Sequence, residues 1–162
     1  MAVEIVELRA ESKDIGKVMK IAEAVGWGHF VGTPEQYYAS VRERGGRLFV
    51  ARRGVVVMGY AEVVTRPSVA WALPAGSAYV FATAVDPRHA KTGVAQELLA
   101  AVLARLGEEG YARTLADVRW DNAASLNLCT RVGARIVGPS PAAVLHAGGG
   151  QAHLRVELDY AA

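Results

Sequence analysis

The sequence predicts an α+β fold: one domain built as a single mixed sheet with helices on its faces. Three observations predict it. The chain has 162 residues, 52% of them hydrophobic and 21% charged, enough for one core and incompatible with a disordered polymer. Apolar residues alternate with period two in several runs, but recur at steps of three and four between Val94 and Leu106. The second half then reads strand, helix, strand, helix, strand, strand, and its first strand–helix–strand unit demands a parallel pair.

Each element follows from its residues. Val3 to Arg9 alternates apolar and polar side chains and reads as a strand. Ser12 can cap a helix whose apolar face is Ile15, Val18, Met19, Ala22 and Val25, and Gly26 ends it. Thr33-Pro34 is a second start signal, opening a short helix through Tyr37, Tyr38 and Val41 that stops at Gly45-Gly46. Arg47 to Arg52 and Val55 to Thr65 form a hairpin turned at Arg53-Gly54. Arg66 to Gly76 is a loop. Ser77 to Val85 is nearly continuously apolar, as expected of a strand buried on both faces. A long amphipathic helix follows, bracketed at its end by Gly107 and Gly110. Thr114 to Arg119 is a strand, and Asn122 opens a helix carrying Leu126, Leu128, Cys129 and Val132 that closes at Gly133. Arg135 to Gly138 and Ala152 to Leu158 are the last strands, joined through the Gly-rich stretch 146–150.

Composition narrows the function. Lys and Arg number 18 against 16 Asp and Glu, a net of +2, which gives no strong field for nucleic acid or anionic lipid. A lone cysteine, Cys129, excludes an internal disulfide or a cysteine zinc cluster, and the four histidines are scattered, so no metal site is expected. No apolar run is long enough to span a membrane, and the first residues lack the basic-then-apolar layout of a secretory signal. A cytoplasmic location is the expectation.

The chemistry concentrates between Val85 and Ala95. A buried strand stops at Pro87, a short basic loop follows, and a long helix starts at a glycine. A helix N-terminus leaves free backbone N–H groups and carries the positive end of the dipole. Gly93 and Ala95 lack bulk, so phosphates can approach those amides, with Arg88 and Lys91 adding charge. The segment reads as an anion site, such as one for pyrophosphate. From these residues alone, a plain turn in which Gly and Ala serve packing stays open.

The segment resembles the acyl-CoA-binding motif of the GNAT superfamily of N-acetyltransferases, matched at Val85, Pro87, Gly93, Ala95, Leu98 and Leu99. Downstream, Asn122, Ser125, Leu128, Cys129, Gly133 and Ala134 resemble the second family motif at its expected distance. The resemblance implies a mixed sheet with helices on both faces and a splayed central parallel strand pair. It implies acetyl-CoA as co-substrate and direct attack by a primary amine through a tetrahedral intermediate, with the donor held by Ala84, Val85, Arg88, Ala90, Lys91, Thr92, Gly93, Val94, Ala95 and Asn122. A homodimer is also common among such proteins.

The chain departs from the family pattern in four places. Ala90 stands where Arg or Gln is usual, and Lys91 where Gly is common. Cys129 takes the place of the Tyr that often protonates the departing thiolate, and Tyr79 lies on the strand where some members carry a Glu base. Tyr79 and Cys129 are therefore the candidate catalytic pair, Tyr79 working through water because a phenol of pKa near ~10 is a poor base. A thiol of pKa near ~8.5 departs as thiolate at neutral pH for about 2 kcal/mol, so a missing acid is tolerable. The alternative for Cys129 is a small apolar residue on the buried face of its helix. Glu62 is weighed as a second route for the proton, but alternation with Ala61 and Val63 reads it as a solvent-facing strand carboxylate.

For the acceptor, Trp27, Phe30 and Tyr37 lie on or beside a Gly-flanked segment that can wall a pocket. Acids are scarce there, which points to a small, weakly charged or zwitterionic amine instead of a polycation. The basic residues from Arg42 to Arg53 are read mainly as a solvated face, with a substrate carboxylate as the alternative. A non-catalytic acyl-CoA-binding module is the competing reading.

Overall fold

The structure, a computed structural model, describes residues 2–27, 30–68, 71–141 and 153–158. Among them run β1 (Glu4–Glu7), α1 (Ile15–Ala24), α2 (Pro34–Glu43), β2 (Gly46–Arg53), β3 (Val56–Val64) and β4 (Ser77–Val85). A short 3₁₀ turn at Pro87–His89 leads to α3 (Val94–Glu108), β5 (Arg113–Arg119), α4 (Ala123–Arg131), β6 (Arg135–Pro139) and β7 (His153–Leu158). The seven strands form one sheet in the order β1-β2-β3-β4-β5-β7-β6. Every pairing is antiparallel except β4 with β5, the pair that α3 crosses over to join. The α+β architecture read from the sequence is the observed one.

Alternation along β2 builds the two faces. Leu48 and Val50 pack with Ile15, Val18 and Val41 of α1 and α2. Phe49 and Ala51 point the other way and pack with Val94, Leu98, Val102 and Leu106 of α3. Leu99 and Leu103 extend that second layer across β5, β7 and Cys129 of α4. The helices thus cover both faces of the sheet.

Several local readings are corrected. Ser12 does not cap α1: the N-cap is Asp14, without a side-chain cap, while Ser12 Oγ accepts from the Asp14 amide at 3.2 Å. Thr33 does cap α2, with Gln36 completing a reciprocal capping box and Pro34 in the first turn. The first hairpin turns at Gly54-Val55, one residue later than Arg53-Gly54. β1 is shorter than the alternation from Val3 to Arg9. The Gly-rich stretch 146–150 and Ala152 lie outside the described residues.

The most informative correction concerns β4. Ser77 to Val80 are buried, but Phe81 is 40% exposed, and Ala82 and Thr83 are half-buried. Pairing with β5 runs only from Ser77–Arg113 to Val80–Ala116. Beyond that point β4 continues along β3 alone, while β5 continues along β7 to the Arg119–His153 pair. The two parallel strands therefore part, as the splayed pair anticipated. A register shift on β3, with Val63 opposite Val80 and Glu62 opposite Ala82, leaves Phe81 as the bulged residue at the fork.

Candidate active site

Two hollows meet the forked strand from opposite sides. The first is a cleft of about 250 Å³ lined by Thr83 and Val85 of β4, the loop and first turn of α3, and Ala124, Ser125, Leu128 and Arg131 of α4. Its floor is built as an anion site requires. Lys91 (φ 60°) and Gly93 (φ 85°) both adopt left-handed backbone, turning the chain sharply into α3. A β-carbon at Gly93 would meet nothing within 4 Å, so the helix N-terminus faces open space. Thr92 Oγ1 donates to the His89 carbonyl at 2.6 Å and braces the turn. Lys91, Thr92, Gly93, Val94, Ala95 and Val85 all line this cleft. These residues fit a pyrophosphate-bearing donor: open amides, little bulk, and Lys91 and Arg131 as cations at the rim.

Other expected donor residues are placed differently. Arg88 turns back on its own loop, where its guanidinium and amide both donate to Asp86, Nη2–Oδ2 being 2.6 Å. That guanidinium, and then the amide, hold the Asp86 carboxyl down at about 2. Asn122 caps α4, its Oδ1 accepting from the Ser125 amide at 3.1 Å. Ala84 is buried in the core beneath α1 and α2. Ala90 closes the 3₁₀ turn that precedes Lys91. Arg131, Ser125 and Thr83 were missed by sequence reasoning. Only Ser125 carried a signal, as part of the second motif.

The second hollow is larger, about 940 Å³, and lies between α1, α2, β3 and the fork. Trp27, Phe30 and Tyr37 all line it, as anticipated. Phe30 meets Tyr37 edge-on with ring centroids 5.5 Å apart, and Trp27 is half exposed at the mouth. Phe81 and Ala82 contribute the fork itself. Glu62, read as solvent-facing, is instead 2% exposed and lines this cavity. Alternation misled because both faces of β3 are covered, so polarity no longer marks the outside. Arg44 forks onto Glu62, with Nε on Oε1 at 2.5 Å and Nη2 on Oε2 at 3.0 Å. The Arg44 guanidinium also lies 5.2 Å from the centre of the Phe81 ring. Burial and then the Glu62 charge push the Tyr37 hydroxyl up to about 12, and burial raises its partner Tyr60 as well. Both are therefore neutral hydroxyls at physiological pH.

Three other arginines of this stretch are bonded within the fold. Arg47 grips Glu7 and Glu109, Arg52 reaches Glu4 and Asp14, and Arg42 donates to the Gly46 carbonyl. Arg47 and Arg52 are thus ion-paired pins across the sheet edge, while Arg42 and Arg53 lie on the exposed face.

The two catalytic candidates line neither hollow. Tyr79 is buried where β4 and β5 still pair. Its hydroxyl donates to Asp117 Oδ2 at 3.0 Å, and its ring stacks on Trp71. Burial first, and then the Asp117 charge, drive its hydroxyl well above the ordinary range. Asp117 is in turn clamped by Arg155, which also donates to the Trp71 and Ala72 carbonyls. Trp71 meets Phe81 edge-on at 5.7 Å, so this buried network braces the bulge. Cys129 is 7% exposed and packs among Val80, Leu99 and Val118, and burial raises its thiol. Its neighbours on the helix, Leu128 and Ser125, are the ones that face the cleft.

A parallel pair that parts beside an open helix N-terminus defines a class of protein with a seat for an anionic group, such as a diphosphate, next to a free strand edge. The sequence matches the model of the acetyltransferase (GNAT) family over residues 16–134, and the chain belongs to that family. It is an N-acetyltransferase of that type, and the family's acetyl donor is acetyl-CoA. No curated protein matches the sequence significantly. Solved structures match the fold. The ribosomal-protein-alanine N-acetyltransferase of Brucella melitensis is 21% identical with TM-score 0.73, over 95% of this chain and 98% of its own. The ribosomal-protein-S18-alanine N-acetyltransferase of Escherichia coli is 21% identical with TM-score 0.68, over 97% and 93%. The candidate acetyltransferase yncA of Salmonella typhimurium, whose structure holds its cofactor acetyl-CoA, is 19% identical with TM-score 0.73, over 99% and 95%. Among the described residues no helix is long and apolar enough to cross a membrane, and no cluster of three or more His, Cys, Asp or Glu could hold a metal.

Proposed function

We propose that the acceptor is the primary amine of a small, weakly charged or zwitterionic molecule, bound in the α1–α2 cavity and acetylated at the fork. The observation that carries this reading is the meeting of the two hollows on consecutive residues of β4. Phe81 and Ala82 face the acceptor side, and Thr83 and Val85 face the donor side. The donor's diphosphate would rest on the amides of Thr92, Gly93, Val94 and Ala95, with Lys91 and Arg131 balancing its charge. Its acyl arm would follow the free edge of β4, where backbone amides stand ready for a developing oxyanion.

The amine must first lose a proton, because an ammonium has no lone pair. Its nitrogen then forms the C–N bond to the acetyl carbon and the C–S bond breaks. The amine's second proton leaves to solvent, and the sulfur departs as thiolate or takes a proton from water. Tyr79 and Cys129 support this geometry from the core: Tyr79 steadies the bulge through Trp71, and Cys129 packs α4 against the sheet.

The test is thiol release from acetyl-CoA across a panel of small amines, amino acids, a polyamine and a peptide amino terminus. Turnover is expected with small amines. Turnover confined to the peptide or the polyamine would overturn the acceptor class, and none with any acceptor, despite binding of acetyl-CoA, would overturn the reading as a whole.

A further inference from the structure

We propose that the Glu62 carboxylate seats the acceptor's ammonium group, and that the cavity selects monoamines carrying an apolar, preferably aromatic, body. This rests on the acetyl-transfer reading above and narrows its substrate class.

The seat comes from counting acceptors. A carboxylate offers about four lone-pair sites. Arg44 takes two of them, one on each oxygen. Arg44 is its one hydrogen-bond partner among the described residues, and Glu62 lines the cavity through the small part of its side chain, 3%, that stays open. A buried carboxylate with open acceptor sites favours a donor that brings positive charge. Glu62 also sits opposite Ala82, beside the bulge where β4 and β5 part. An amine held there is delivered to the point where the acyl arm would end.

The selectivity comes from what surrounds that seat. A carboxylate next to the amine would approach the charge of Glu62. Against that repulsion stand only the one N–H that Arg44 keeps on Nη2, its other four being on Glu62 and Ser40, and Lys20 elsewhere in the described lining. A second, distant ammonium would lie among Trp27, Phe30 and Phe81, with Glu23 as the one other acid of the described lining and exposed to water. An apolar ring fits those same walls and releases water from them.

The experiment compares 2-phenylethylamine, phenylalanine and spermidine as acceptors for the unmodified protein with acetyl-CoA. It is joined by calorimetric titration of 2-phenylethylamine into the protein saturated with unacetylated CoA, where no reaction can occur. Expected are a kcat/KM for 2-phenylethylamine at least roughly 10-fold above the other two and measurable binding in the titration. Glu62→Gln should raise its KM roughly 10- to 100-fold and leave the affinity for acetyl-CoA unchanged. Should that variant fail to fold, Trp27→Ala at the exposed mouth still tests the apolar wall, with a loss of several-fold expected for 2-phenylethylamine. Preference for phenylalanine or spermidine, or an unchanged KM in a folded Glu62→Gln, overturns this inference while acetyl transfer stands. No turnover of any amine, with acetyl-CoA bound, overturns both.

Discussion

Gly93→Glu tests the donor site most sharply, and its consequences can be worked from local geometry. A β-carbon at Gly93 meets no atom within 4 Å, so steric clash is not an issue. The backbone at φ 85° is the strained part, costing an L-residue about 1–2 kcal/mol. A carboxylate at a helix N-terminus returns about 0.3–1 kcal/mol through the dipole, so the fold should survive. Binding is different. At about 5 Å and an effective dielectric near 20, the new charge opposes each phosphate charge by about 3 kcal/mol. The affinity for CoA should therefore fall roughly 100-fold or more, and less at high salt. Gly93→Ala carries the same backbone strain without the charge and should bind within a few-fold of the native protein. Calorimetric titration of CoA into both variants, with circular dichroism as the check on folding, decides the matter. A folded Gly93→Glu protein with near-native affinity would refute a diphosphate seat at the start of α3.

Two further outcomes follow from the packing and the ion pairs. Cys129→Ala should leave acetyl transfer within about threefold of native and cost about 1 kcal/mol of stability in urea unfolding, because the thiol is core volume; a thousandfold rate loss would show the thiol to be a proton donor. Asp86 is held at about 2 in the folded chain, below the ~4 of an unfolded aspartate. Its folded pKa is depressed, so its contribution is fully present above pH ~4 and is lost as pH falls towards ~2. The free energy of unfolding, followed from pH 5 down to 2, should thus fall less steeply for Asp86→Asn than for the native chain.

Much of this arrangement was written locally and could be read locally. Thr33-Pro34 announces its capping box, and the step of three and four from Val94 to Leu106 places α3 within two residues of its true end. The start of α3 at Gly93 was legible from the glycine itself, but the left-handed backbone there, shared by Lys91, was not. What escaped depends on partners distant in sequence. The splayed pair was anticipated, but not where it opens: β4 leaves β5 after Val80–Ala116, while β5 keeps β7 on its other edge throughout. Glu62 was misassigned because its burial comes from α1 and α2 above it and its partner Arg44 sits on the other side of β2. Arg131 reaches the donor cleft only through the docking of α4, and nothing in its own neighbourhood of the sequence announces that.

The forked strand has an evolutionary corollary. Among the described residues the two hollows share no lining residue: one is drawn from α1, α2 and β3, the other from α3 and α4, and they meet at successive positions of β4. Substitutions that reshape the chamber for a new amine therefore need not disturb the nucleotide grip, and vice versa. A chain so divided can change its clientele while keeping its currency.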